Sequence, residues 1–210
     1  GLDVPPTLVS FATAIGDTRN VQSPEFKKSN SAVVLLRPNY KNGLPEIGSQ
    51  IAVYKAVEQM IAEGKVLSAA TPGYGGVAEA LFKMCVGNHV GLQLSNDIDP
   101  DTLFQPAYGS VILELLDPSA GEFLGFTTVD YTMEVGGKFI DLARLQDKWE
   151  GKLEPVFPYR RAGEQVAALE FDCPANQRKA PAVRLATPRV VIPVFPGTNC
   201  EYDTARAFRR

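Results

Sequence analysis

The stretch Thr71-Pro72-Gly73-Tyr74-Gly75-Gly76 holds the chain's first candidate for chemistry. Gly73, Gly75 and Gly76 permit positive φ and let backbone amides come close to an anion. Val77, Ala80, Leu81 and Met84 follow at helical spacing. A helix N-terminus at this point adds unpaired N–H groups and the positive end of a dipole. The combination suits a phosphate, with Thr71, Gly73, Tyr74, Gly75 and Gly76 as the binding residues. The competing reading is a tight strand-to-helix turn whose glycines serve packing, because no Lys or Ser stands as in a Walker loop.

Other reactive side chains make poorer cases. Cys200 is followed by Glu201 and Tyr202, whereas a nucleophilic elbow needs small neighbours and an activating His. The only His in the chain is His89, in a Gly-Asn-His-Val-Gly context that reads as a helix-to-strand turn. Asp97, Asp99 and Asp101 alternate as in a calcium loop. Thr102 and Tyr108 stand where that loop needs Gly and Glu, so a solvated acidic turn is expected. Lys27, Lys28 and Lys83 read as surface cations, and Phe139 and Trp149 as core or interface residues. No catalytic residue and no metal ligand is assigned.

The elements that must position these groups follow from hydrophobic periodicity. Strands are expected at Thr7–Ile15, Ser31–Leu36, Val66–Ala70, Val90–Leu94, Tyr108–Leu116, Phe123–Val129 and Met133–Ile140. A helix spans about Ser49 to Glu63, with Ile51, Tyr54, Glu58 and Ile61 on one stripe, Val57 beside it and Gly64 as its stop. A second helix follows the glycine loop, and Leu142–Trp149 forms a short third. Runs of strand with few helices predict an α+β domain, a layered mixed sheet with helices packed on one face, over residues 1–151. Prolines punctuate 152–188, which reads as a linker with one strand at Val166–Phe171. Residues 189–210 read as an apolar strand, a Pro-Gly turn and the start of a helix.

Composition excludes several function classes. The 210 residues carry a net charge of -3, which gives no electrostatic reason to expect nucleic acid or an anionic membrane as a partner. No apolar stretch reaches the roughly 20 residues that span a bilayer. Three widely separated cysteines suit a reducing cytosol, so a cytoplasmic location is expected.

Three segments carry a resemblance to a known family. Ala70 to Leu81 looks like the His-Asp-Val-Ser-Asp-Gly-Gly-Leu stretch of C-terminal domains in the aminoimidazole-ribonucleotide synthetase superfamily. Asp3 to Ala12 resembles the opening of such a domain in phosphoribosylformylglycinamidine synthase. Phe195-Pro-Gly-Thr-Asn-Cys-Glu-Tyr-Asp203 resembles the start of that enzyme's glutaminase domain. Their order matches a fused, single-chain synthase. The expectation is therefore a piece of a longer polypeptide: a superfamily C-terminal domain, a linker, and the truncated start of an α/β glutaminase.

The resemblance implies an ATP-dependent ligase of purine biosynthesis. It would convert formylglycinamide ribonucleotide, ATP and glutamine to the amidine, ADP, phosphate and glutamate. ATP and magnesium would be held by another domain of the same polypeptide, and the glutaminase nucleophile would lie downstream of Cys200. The isolated chain would be inactive and hold no cofactor. Gly75 and Gly76 match the family's paired glycines, while Thr71 and Tyr74 replace its two Asp residues. That departure implies the second, pseudo-symmetric half of the synthase, where the site is structural or auxiliary. The alternative is a non-catalytic module that binds an anion or docks partner domains.

Overall fold

Ala32–Leu36, Ala-Val-Val-Leu-Leu, is buried at every residue, and this strand (β1) fixes the layering. Successive side chains of a strand point to opposite faces. Val33 and Leu35 pack with one set of buried residues, Val34 and Leu36 with another. The computed structural model describes residues 6–118, 120–158, 186–187 and 189–209. The expected strand at Val166–Phe171 lies outside them, as does most of the expected linker. The chain divides into two units, Gly1–Arg161 and Ala162–Arg210.

The first unit is built on a seven-stranded mixed sheet, confirming the α+β class. Its other strands are β4 (Val66–Ala70), β5 (Gly91–Leu94), β6 (Val111–Leu115), β7 (Glu122–Thr128), β8 (Thr132–Val135) and β9 (Lys138–Asp141). Tyr40–Lys41 (β2) and Leu44–Pro45 (β3) form a separate hairpin across Asn42-Gly43, both at positive φ as such turns require. The sheet order is β4-β6-β1-β7-β5-β8-β9, antiparallel except for the parallel pair β5–β8.

The helices do not share a face. Helix α1 (Ile47–Ala62) packs Val53, Ala56, Val57, Met60 and Ile61 on Val34, Leu36 and the odd-numbered side chains of β6. Helix α2 (Gly76–Val86) packs Val77, Leu81, Met84 and Cys85 with Val33, Leu35 and Ile112. Leu142, at the start of α3 (Leu142–Glu150), joins the α2 side. The expectation of helices on one face is thus corrected. An all-apolar central strand needs cover on both sides, and two helices supply it.

Local expectations shift for similar reasons. In α1 the buried stripe is 53, 56/57, 60/61, leaving Ile51 and Tyr54 half exposed. Met133–Ile140 is two strands, because Gly136 and Gly137 at positive φ reverse the chain. Phe139 is exposed and Trp149 half exposed, the latter edge-on to Phe82 at 5.7 Å. Thr7–Ile15 forms no strand and is exposed throughout. In the second unit, residues 189–195 form no strand either, since none of the described residues pairs with them and Pro193 lacks a donor. Helix α4 (Glu201–Phe208) does form there.

Glu114 of β6 is fully buried among apolar residues. Its carboxylate accepts from the Lys27 N–H at 2.8 Å, the Lys28 N–H at 3.3 Å and the Ser68 hydroxyl at 2.9 Å. A buried carboxylate persists only with such donors. Here it pins the segment after Phe26, itself fully buried, to β4 and β6. Glu114→Ala strands three donors and should destabilise the domain by about 3 kcal/mol or more. Glu114→Gln keeps one acceptor oxygen and should lose roughly half as much. Urea titration of both variants measures the difference; equal, sub-kcal losses would contradict an anchoring role.

Candidate functional site

β4 delivers the chain to the glycine loop, and α2 begins at its end. Pro72 and Gly76 are buried, whereas Thr71, Gly73 and Tyr74 face solvent, with Tyr74 94% exposed. The loop is a tight turn closed by the Gly76 N–H donating to the Gly73 carbonyl at 3.1 Å. Gly76 has φ +69, and a Cβ there would lie 2.6 Å from the Leu103 carbonyl oxygen and 2.8 Å from that of Gln105. It is a packing glycine, seated against the short 3₁₀ helix Pro100–Phe104. Gly73 is different: a Cβ on it meets only the Glu79 carboxylate, at 3.8 Å.

The anion position at the start of α2 is already engaged from within. The Gly75 N–H donates to the Glu79 carboxylate at 2.8 Å, and Lys83 pairs with the same carboxylate at 2.6 Å. Lys83 and then the Gly75 amide hold the Glu79 carboxyl below its ordinary value. The first-turn amides of Val77 and Ala78 make no hydrogen bond to another described residue. Beside the loop, Thr71 and Lys83 line an open cleft of about 430 Å³ with Pro24, Ala69, Ala70 and Met84. The loop therefore combines amides and a cation, but an external anion would compete with Glu79 for Gly75. Glu79 was legible as a signal: an acid four residues after Gly75 and four before Lys83 can reach both.

The remaining candidates do structural work. Asp99 accepts from the Asp101 N–H at 3.1 Å and caps the 3₁₀ helix, which accounts for the acidic turn. His89 lies at positive φ in the turn after α2, its ring 4.8 Å from that of Tyr131. Lys27 bonds Ser23 and Glu25. Burial pushes the Cys85 thiol up to about 12, so it is no nucleophile at neutral pH. Cys200 is exposed and precedes α4 at positive φ, with no His within its unit's sequence. Among the described residues no group of three His, Cys, Asp or Glu side chains could hold a metal ion. No described helix is long and apolar enough to cross a membrane.

Solved structures share this architecture. PurL of T. maritima complexed with FGAR aligns at a TM-score of 0.53 with 11% identity, over 75% of this chain and 32% of that one. PurL complexed with ADP aligns at 0.52 with 12% identity, over 72% and 29%. The chain has a phosphoribosylformylglycinamidine synthase-like fold. A third PurL structure, complexed with AMPPCP, gives 0.52 with 11% identity over 91% of this chain and 34% of that one. The chain thus spans about a third of the length of these synthases. No protein-family model and no curated protein sequence matches it.

Two tests follow from the loop of this synthase-like domain. Gly76→Ala forces a strained φ and a clash with two backbone carbonyls, and should cost about 2 kcal/mol or more. Gly73→Ala should stay within about 0.5 kcal/mol of the parent. Equal thermal shifts for the two would refute the packing role of Gly76. The second test is pH. Glu79 and Glu25 have depressed folded values, Glu25 about 2 through Lys27 and then Ser23, against an ordinary 4.5. Depressed carboxylates stabilise fully above the ordinary value and lose that contribution as pH falls toward the folded one. Stability should therefore decline below pH 4.5, and more gently in Glu79→Gln, as urea midpoints across pH would show.

Proposed function

We propose that the chain is a piece of an ATP-dependent purine-biosynthesis ligase of the phosphoribosylformylglycinamidine synthase type, made of one C-terminal superfamily domain, a linker and the start of the glutaminase domain. In the whole enzyme the glycinamide carbonyl oxygen of formylglycinamide ribonucleotide takes the terminal phosphoryl group of ATP, releasing ADP. Ammonia, freed from glutamine by hydrolysis, then displaces phosphate to give the amidine. ATP and magnesium belong to another domain in this reading, and the glutaminase nucleophile to residues beyond Cys200. The shared fold with PurL carries the proposal, supported by the order of the three family-like segments along the sequence.

Within that enzyme, Thr71, Gly73, Tyr74, Gly75 and Gly76 form a phosphate-type loop in an auxiliary rather than a reacting role. The internal bond from Gly75 to Glu79, in a loop without the family's two Asp residues, favours this role. The domain would close against its neighbours and hold shape there, with the Gly75 amide at its helix start bonded by its own carboxylate.

Assay of the whole polypeptide with formylglycinamide ribonucleotide, ATP and glutamine tests the ligase reading; the 210-residue chain alone should release neither ADP nor glutamate. Titration with inorganic phosphate tests the loop. The parent chain should bind weakly, and Glu79→Gln, which removes the competing charge, should bind roughly tenfold more tightly. Unchanged phosphate affinity in Glu79→Gln would remove the loop as an anion site.

A further inference from the structure

The segment from Leu8 to Ile15 does not fit the surface on which it lies. Leu8 is 96% and Phe11 88% exposed, Ile15 is fully exposed, and Val9 is largely so. No hydrogen bond joins the backbone of residues 8–16 to any other described residue. No charged side chain occurs between Thr7 and Gly16 in a chain that is 21% charged. The composition, Leu-Val-Ser-Phe-Ala-Thr-Ala-Ile, is that of a strand. Written as one, it places Val9, Phe11, Thr13 and Ile15 on one face, and Leu8, Ser10, Ala12 and Ala14 on the other. Neither face is the polar one that a half-solvated strand shows. A strand with two apolar faces is covered on both sides.

The described residues of its own domain offer no such place. The outer edge of β4 already meets the chain at Ser23, whose carbonyl accepts from the Ala69 N–H at 3.4 Å. The other edge, β9, is exposed at all four residues and carries Lys138 and Asp141 at its ends, a charged edge that resists pairing. The segment is rooted firmly, because Phe26 is buried and Glu114 holds Lys27 and Lys28. Its lack of charge removes any electrostatic partner. What it needs is a set of backbone donors and acceptors flanked by apolar layers, which is an open sheet edge.

We propose that Leu8–Ile15 is a strand given to a β-sheet outside its own domain, pairing with an open edge in another domain of the same polypeptide. This rests on the ligase reading only for the existence of further domains. The chain covers about a third of the PurL structures, so most of such a polypeptide lies outside this sequence. The segment would then be a structural tether: a covalent strand in one domain's sheet, anchored at its far end by Glu114 in the next.

Hydrogen exchange read by mass spectrometry tests the tether in two samples, the whole polypeptide and this chain alone. In the whole polypeptide the amides of 8–15 should exchange at least about 100-fold more slowly than in this chain alone. Phe11→Asp in the whole polypeptide should restore fast exchange at 8–15 while β1 and β6 remain protected. Fast exchange at 8–15 in the whole polypeptide would overturn the proposal. So would slow exchange in this chain alone: if lost on dilution it assigns the strand to a second copy, and if not, to its own domain. Ligase assay on the same whole-polypeptide sample separates the readings, since protected amides without ligase activity would sink the reaction and keep the tether.

Discussion

Ala32–Leu36 must be buried on both sides at once, and most of the first unit follows from that requirement. Five consecutive apolar residues leave no polar face to turn toward water. A strand of this kind belongs in the middle of a sheet with a layer above and a layer below. β6 and β7 flank it, α1 closes one face, and α2 closes the other. The two cores differ in content. The α1 side is a small aliphatic patch around Leu113 and Leu115, while the α2 side is larger and takes in Phe26, Leu92, Leu124 and Leu142.

The glycine loop is shaped by this layering before it is shaped by any ligand. β4 lies at the sheet edge, and α2 must turn back immediately to cover Val33 and Leu35. That reversal brings the start of α2 against the 3₁₀ helix Pro100–Phe104, so close that only glycine fits at position 76. The unpaired amides at the helix start then need an acceptor. Glu79 meets the demand at Gly75, and Lys83 steadies it from the next turn. The Gly75 amide is thereby engaged by the chain's own carboxylate.

Glu114 shows a related economy on β6, the strand beside β4. A single carboxylate gathers two backbone amides and a hydroxyl from two separate segments. It ties the chain preceding β1 to the sheet without adding an exposed charge. Through that tie, the exposed apolar segment at 8–15 is held at a defined root, although nothing in the described domain covers it.

Much of this was legible in the sequence. Runs of Val, Leu and Ile at 32–36, 66–70 and 111–115 marked the strands, and glycines at 64, 75 and 76 marked where helices stop and start. The paired glycines resemble those of the synthase superfamily, and the synthase-like fold of the chain agrees with that resemblance. Glu114 was visible too, as one acid inside Val-Ile-Leu-Glu-Leu-Leu, but its three donors come from residues 46 to 87 positions away. Long-range pairing decided the rest. The register of a sheet and the side on which each helix lands depend on partners distant in the chain. Periodicity reports only that a side chain wants to be buried; tertiary contact determines against what, which is why α1 turned a different stripe inward and Leu8–Ile15 forms no strand among the described residues.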